Sequence, residues 1–295
     1  MKNILLPTDF SKASKNAIQY AVQLFQGTTC TFHFLSVYKA WKYTSGDLMQ
    51  ASADKSIYDI IISESETKLE NLIAKLKISC EGENYSYKAI SEYNVFTDSI
   101  NKLIEVEMID LIIMGKDEAP DTQERIFGSH TLRVIRKVNS PLLVIPEKAP
   151  FHGLRKLLLS LDSTVEFDKA TLQPILDLFG NHSFSLEILK INEGKANEEA
   201  EANEELELKQ NFEIYNPSFH RVRDVPVLDA INTFVQSMNI DMNVLPVKKE
   251  EFLERIFGSK LSKIIYSTQI PLFILHSKEE IMEEMNEEEK ENTSE

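Results

Sequence analysis

The sequence predicts an α/β fold made of two tandem doubly wound domains, each a five-stranded, mostly parallel sheet flanked by helices. The first observation is a hexapeptide, ERIFGS, that occurs at Glu124–Ser129 and again at Glu254–Ser259. The second is its surroundings: an apolar segment beginning with Ile-Asp precedes each copy, and a helical run and a proline-led apolar segment follow it. A motif that recurs with its neighbours in the same order indicates an internal repeat. The third is the alternation of strands and helices with short connections, which requires parallel pairing through right-handed crossovers.

The first predicted domain covers residues 1–147 and contains five strands and four helices. Short apolar runs indicate buried strands, and apolar residues spaced three and four apart indicate helices. Ser11 is the predicted N-cap of the first helix, which ends near Gly27. The predicted strands are Asn3–Leu6, Thr31–Val37, Tyr85–Ile90, Ile109–Met114 and Pro141–Ile145, and the later helices are Ile57–Leu76, Phe96–Met108 and Thr131–Asn139.

The second predicted domain, residues 153–277, repeats this plan. Two segments of the chain, one in the first domain and one after the second, lie outside this pattern of strands and helices. Residues 38–54, which include Trp41, are predicted to be an irregular surface insertion, and residues 278–295 are predicted to be a disordered acidic tail. The predicted strands are Lys156–Leu161, Phe184–Ile191, Phe219–Val222, Ile240–Leu245 and Pro271–Leu275, and the helices are Asp168–Phe179, Glu199–Asn211, Val227–Met238 and Leu261–Thr268.

Composition excludes several classes of protein. A net charge of -15 argues against a nucleic-acid-binding surface, which depends on clustered Lys and Arg, although backbone amides can still bind a small anion. Cys30 and Cys80 have neither metal nor redox spacing and are predicted to be buried free thiols in a reducing cytoplasm. No apolar run is long enough to cross a membrane, and the first residues do not resemble a signal peptide. We therefore expect a cytoplasmic protein that binds neither membrane nor nucleic acid.

The candidate ligand site lies where strand order is predicted to reverse, beyond the carboxyl ends of the strands. Two segments of the first domain reach this edge, Pro7–Asp9 after the first strand and Met114–Gly115 after the fourth. A helix starting near Gly128 would direct unpaired backbone N–H groups toward the same edge, which suits a phosphate. The alternative is that Gly115 eases a bend and Gly128 only starts a helix. Spacing alone leaves both interpretations open.

Four segments occur together in a known family: ILLPTDFS (Ile4–Ser11), MG (Met114–Gly115), ERIFGS and SPLLVIP (Ser140–Pro146). In these segments the chain resembles the universal stress protein family, and the resemblance extends over both repeats. It implies an adenine nucleotide alpha hydrolase-like fold and, in the first domain, the family's loop pattern of Gly-x-x-Gly, nine residues and Gly-Ser. The implied ligand-binding residues are Pro7, Thr8, Asp9, Val37, Met114, Gly115, Lys116, Gly128, Ser129 and His130.

The sequence departs from the family pattern at Glu118, where the second glycine is expected. A carboxylate about 4 Å from a phosphate charge costs roughly 4 kcal/mol at an effective dielectric constant of about 20. Binding then requires Glu118 to point into solvent or to share Mg²⁺ with the phosphates, with compensating charge from Lys116, Arg125 or His130. In the second domain Pro246 replaces the first loop glycine, so no nucleotide is expected there.

The resemblance implies a non-catalytic stress-response regulator whose first domain binds ATP, with Mg²⁺, weakly. The alternative is a protein-interaction scaffold that has lost nucleotide binding in both domains, which Glu118 and Pro246 favour. Slow ATP hydrolysis involving Asp9 stays open, although the sequence contains no nucleophile elbow, metal-spaced His pair or Walker lysine. The resemblance also implies that the final strands of the two domains meet as an intramolecular pseudo-dimer, with homodimerisation through another face as a further option.

Overall fold

The computed structural model describes residues 1–38, 57–116, 128–162, 169–192, 198–247, 264 and 267–276. These residues form ten strands, seven α-helices and a short 3-10 helix at Glu213–Tyr215. The strands are β1 (Lys2–Pro7), β2 (Cys30–Tyr38), β3 (Tyr85–Tyr93), β4 (Leu111–Lys116), β5 (Leu142–Pro146), β6 (Lys156–Asp162), β7 (Ser185–Asn192), β8 (Ser218–Arg223), β9 (Met242–Val247) and β10 (Leu272–His276). The α-helices are α1 (Lys12–Leu24), α2 (Ile57–Ser79), α3 (Phe96–Glu107), α4 (Gly128–Lys137), α5 (Lys169–Phe179), α6 (Glu198–Asn211) and α7 (Val227–Met238).

All ten strands form one sheet in the order β3-β2-β1-β4-β5-β10-β9-β6-β7-β8. We call β1–β5 with their helices the first half and β6–β10 with theirs the second half. Pairing within each half is parallel, whereas β5 and β10 pair antiparallel, with Leu143 opposite Phe273. The predicted five-plus-five arrangement and the contact between the two final strands are therefore confirmed. The boundaries at residues 147 and 153 stay predictions.

The apolar core continues across the junction on both faces of the sheet. One cluster joins the strands to α1, α2, α5 and α6, and the other joins them to α3, α4 and α7. Leu143 and Phe273 belong to the first cluster, and Val144 and Leu272 to the second. Phe273 also contacts Phe179 of α5 edge to face, with ring centroids 5.0 Å apart. Because the same side chains are buried by both halves, we expect the halves to depend on each other for stability.

The aspartate of the repeated Ile-Asp dipeptide has a structural role in both halves. The amide of Asp110 donates to the carbonyl of Asn3 at 2.9 Å, and the Asp110 carboxylate accepts from the Asn3 amide at 2.7 Å. Asp241 makes the same two bonds to Lys156, at 3.0 and 2.9 Å. Each aspartate thus binds the amino end of the neighbouring central strand, and β4 begins at Leu111 rather than at the predicted Ile109.

The first helix agrees with its prediction. Ser11 is its N-cap, accepting from the amide of Ser14, and the helix ends at Leu24, before Gly27 with φ 76°. The thiol prediction is half right, because Cys30 is buried whereas Cys80 is only partly buried.

No helix in the described ranges is long and apolar enough to cross a membrane. Several predictions lie outside these ranges. They concern the insertion beyond Tyr38 with Trp41, Glu118, Arg125, most of the first hexapeptide, all of the second, most of the helix at Leu261–Thr268, and the acidic tail.

Candidate functional site

The strand order reverses between β1 and β4 in the first half and between β6 and β9 in the second. A crevice at such a point, beyond the carboxyl ends of the strands, is the usual ligand site of an open α/β sheet. Pro7 ends β1 and Lys116 ends β4, so the two predicted segments reach the same edge. Because β5 and β10 run antiparallel, the corresponding edge of the second half lies at the opposite end of the sheet.

The turn after β1 is fixed by its own side chains. The Thr8 hydroxyl donates to the Ser14 hydroxyl at 3.1 Å and accepts from the Phe10 amide at 3.0 Å. The amide of Ser11 donates to the Asp9 carboxylate at 3.0 Å. Asp9 itself is exposed. The turn therefore presents one carboxylate at the crevice in a defined orientation.

The Asp9 carboxylate has a pKa below its ordinary value of 3.8. Partial desolvation raises the pKa, but hydrogen bonds from Ser11 and Ser14 lower it by more in total. Asp9 is thus ionised at neutral pH and only accepts hydrogen bonds or binds cations. Such a group suits hydroxyl, amine or metal ligands and repels phosphate.

Phe10 was not among the predicted site residues. Its φ of 64° lies in the left-handed region, which costs a bulky residue on the order of 1–2 kcal/mol. Its ring packs against the apolar cluster beneath α1, and the Lys68 ammonium lies 6.0 Å from the ring centroid. No sequence pattern marks a left-handed phenylalanine, so this feature required the structure.

Gly115 has a packing role that neither sequence interpretation included. A Cβ at this position would lie 2.3 Å from the carbonyl carbon and oxygen of Ala13 and 2.7 Å from the amide nitrogen of Ser14. The glycine therefore lets the first turn of α1 pack directly on β4. Asn16 also fixes α1 here, because its side-chain amide donates to the carbonyl of Pro146 at 2.9 Å.

Lys116 contacts the second half. Its ammonium donates to the backbone carbonyl of Thr268 at 3.0 Å, and its own carbonyl accepts from the Glu147 amide at 2.9 Å. The family resemblance implied that this charge would contact a phosphate or offset Glu118. In this conformation the ammonium instead contacts the chain just before β10.

The remaining predicted residues differ in what they present to the crevice. The Met114 side chain is buried in the apolar cluster beneath α3 and α4, so only the backbone of Met114 could contact a ligand. Val37 is half-buried against the same cluster, and Pro7 is buried opposite Leu35. Gly128, Ser129 and His130 form the first turn of α4, and their side chains lie outside the described residues.

Comparison with known proteins assigns the first half to a protein family. Residues 1–146 match the model of the universal stress protein family. Through this half, the chain belongs to the universal stress protein family. The two segments at the crevice, the turn at Asp9 and the end of β4, are both within the matched residues.

Individual relatives extend the likeness. Universal stress protein MJ0577 of Methanocaldococcus jannaschii is 29% identical over 160 residues, which cover 50% of this chain and 96% of that protein. The crystal structure of a universal stress protein from Archaeoglobus fulgidus has a TM-score of 0.69 at 18% identity, over 93% of this chain and 96% of that chain. A functionally unknown protein, PA1789 of Pseudomonas aeruginosa, has a TM-score of 0.61 at 15% identity, over 95% and 94%. These two structures share the fold of both halves.

The corresponding edge of the second half contains different residues. Pro246 and Val247 end β9, where the universal stress protein domain of the first half has Gly115 and Lys116. Beneath them, the buried Ser160 hydroxyl donates to the buried Asn243 side-chain oxygen at 2.8 Å. Among the described residues, no group of three or more His, Cys, Asp or Glu side chains is placed to hold a metal ion.

Proposed function

We propose that the chain is a cytoplasmic stress-response regulator that binds an adenine nucleotide at the carboxyl edge of its first half. The observation that supports this most directly is the oriented, exposed and ionised Asp9 carboxylate at the point where strand order reverses. It lies within a universal stress protein domain, beside the segment that ends in Met114 and Gly115.

Two sets of groups at the crevice suit two different parts of the proposed ligand, its nucleoside and its phosphates. Asp9 accepts hydrogen bonds and repels phosphate, so it suits the hydroxyl or amino groups of a nucleoside. Gly128 and Ser129 begin α4, and the first amides of a helix have no intrahelical acceptor, so they suit the phosphates. Mg²⁺ bound with the nucleotide would offset the charge of Glu118.

We further propose that the nucleotide acts as a ligand and not as a substrate. The sequence contains no nucleophile elbow, metal-spaced His pair or Walker lysine that would assign a catalytic role. A regulatory ligand acts by binding one conformation of the protein more tightly than others, which changes the surface that a partner protein meets.

The test is calorimetric titration of the purified chain with ATP, with and without Mg²⁺, after bound nucleotide has been removed. The identical hexapeptides provide a matched pair of variants. Gly128→Leu should weaken binding at least about tenfold, roughly the loss of one charge-assisted hydrogen bond, while Gly258→Leu should leave affinity unchanged. Equal effects of the two substitutions, or none from Gly128→Leu, would contradict this site.

A protein-interaction scaffold without nucleotide binding is the second candidate. Two contacts favour it: Gly115 is required for packing on α1, and the Lys116 ammonium contacts Thr268. The scaffold function predicts no heat and no thermal shift up to millimolar ATP with or without Mg²⁺. Saturable binding near one equivalent would exclude it for the first half.

A further inference from the structure

Lys116 is the last residue of β4. Of the two strands at the crevice, β1 and β4, β4 is the one nearer to the second half. The backbone of Lys116 is fixed because β4 pairs with β5 as far as Pro146, and because Glu147 donates to its carbonyl. Its side chain reaches the carbonyl of Thr268, four residues before β10, the strand that follows β5 in the sheet. One residue thus joins the proposed ligand edge of one half to the start of the final strand of the other.

The acceptor belongs to the end of a helical turn. The Thr268 amide donates to the carbonyl of Ile264 at 3.0 Å, and its hydroxyl donates to the carbonyl of Ile270 at 2.7 Å. Carbonyls at the end of a helix lack intrahelical donors and attract cations. The Lys116 ammonium therefore stabilises this turn and the path into Leu272.

The second half cannot make an equivalent contact, because the residue that corresponds to Lys116 there is Val247. Backbone bonds from Ile112 to Pro141 and from Asn243 to Pro271 are equivalent, which places Val247 at the position of Lys116. Val247 is buried and has no charged side chain. Only the first-half edge has an ammonium at this position, and that edge is the one with the proposed nucleotide site.

We propose that Lys116 couples phosphate binding at the first-half edge to the turn at Thr268 and to β10; this inference depends on the proposed function. A phosphate oxygen is a stronger acceptor of an ammonium hydrogen bond than a neutral carbonyl. A nucleoside triphosphate in the crevice draws the Lys116 ammonium away from Thr268. The helical turn loses its cation, and its amides exchange with solvent more readily.

The coupling works equally in the other direction, because linkage between two binding events is reciprocal. Contact with Thr268 holds the ammonium away from the ligand and lowers affinity for phosphate. The second half therefore sets the affinity of the first-half site through one side chain. A nucleoside has no phosphate oxygen to compete with the Thr268 carbonyl for the Lys116 ammonium, so it leaves the turn unchanged.

The experiment is hydrogen exchange followed by mass spectrometry on the full chain, read on peptides within residues 264–276. The wild type is compared with Lys116→Met and with Lys77→Met, which removes an exposed charge at the end of α2 as a control. Each is measured alone, with ATP and Mg²⁺, and with adenosine, and calorimetry on the same samples reports binding separately.

We expect ATP to raise exchange at Thr268 and its neighbours about tenfold in the wild type, roughly the loss of one hydrogen bond. This rise is diagnostic, since a ligand that only stabilised the fold would lower exchange throughout. Lys116→Met should show the raised exchange without ATP, no further rise with ATP and weaker binding. Lys77→Met should behave as wild type, and adenosine should have no effect on these peptides.

Two failures are distinguishable. If calorimetry detects ATP binding but exchange at residues 264–276 stays constant or falls, the coupling is wrong and the proposed function survives. If no ATP binds, the proposed function and the coupling both fail. Exchange in Lys116→Met equal to that in Lys77→Met without ligand would also overturn the coupling, whatever ATP does.

Discussion

In the first half the central crevice strand ends in Gly115 and Lys116, whereas in the second half it ends in Pro246 and Val247. The backbone beneath the two ends is the same. Asp110 and Asp241 bind the amino end of the neighbouring strand with the same pair of hydrogen bonds. The difference shows that the repeat retained the contacts that build the sheet, while the side chains at its carboxyl edges diverged.

A second comparison concerns one buried position of each half. His33 on β2 and Glu187 on β7 lie on corresponding parts of the sheet, two residues after Thr31 and Ser185. The His33 ring lies 3.4 Å from the Asn3 side-chain oxygen, and Glu187 lies 2.8 Å from the His220 ring. Both halves therefore tolerate a buried ionisable group here, of opposite type and with different partners.

Phe273→Ala tests whether the halves are separate units and should have the largest effect. The side chain is fully buried in the core that crosses the junction, so truncation should cost about 3–5 kcal/mol. We expect denaturant unfolding to shift to lower concentration and hydrogen exchange to rise in both halves. Loss of protection confined to β6–β10, with β1–β5 unfolding as before, would show that the shared core does not link them.

Gly115→Ala and Pro246→Ala form a matched pair at the two edges. The alanine Cβ at position 115 would overlap the backbone of Ala13, so we expect a loss of about 2–3 kcal/mol as β4 and α1 move apart. Removing the proline should change stability by about 1 kcal/mol or less. Urea unfolding measures both. Equal small effects would mean that α1 accommodates the methyl group and that close packing does not explain the glycine.

The pH dependence of stability should show a smaller effect, which comes from His33. Burial lowers the pKa of His33 below its ordinary value of 6.5, nearby Glu107 raises it, and Lys88 lowers it. Because the unfolded chain then binds more protons, the stability due to neutral His33 is full above about pH 6.5 and is lost as pH falls toward the lowered pKa.

His33→Gln should therefore flatten the decline in melting temperature between about pH 6.5 and pH 5. Some decline should remain, since burial also lowers the pKa of His182, against a hydrogen bond with Leu24 that raises it. His152→Gln, at an exposed position, serves as the control and should follow the wild type. A slope in His33→Gln as steep as that of the wild type would show that His33 does not titrate as its burial requires.

The position of the candidate site could be predicted from sequence, because it follows from topology. Alternating strands and helices determine where strand order reverses, and the turn residues after β1 and β4 then lie at one edge. The orientation of individual side chains at that edge was harder to predict from sequence. Met114 was a candidate ligand residue, yet strand alternation directs its side chain into the core, and the left-handed conformation of Phe10 has no sequence signature.

The repeat, the order of the elements, the cap at Ser11 and the family resemblance could all be recognised from the sequence, since each consists of short segments whose own residues are close together in the chain. Tertiary structure decided that two cores merge across β5 and β10, that Gly115 is required by α1, and that Lys116 contacts Thr268. Each of these contacts joins residues about a hundred or more positions apart. A contact between distant residues depends on how the elements pack, so no local pattern of sequence records it.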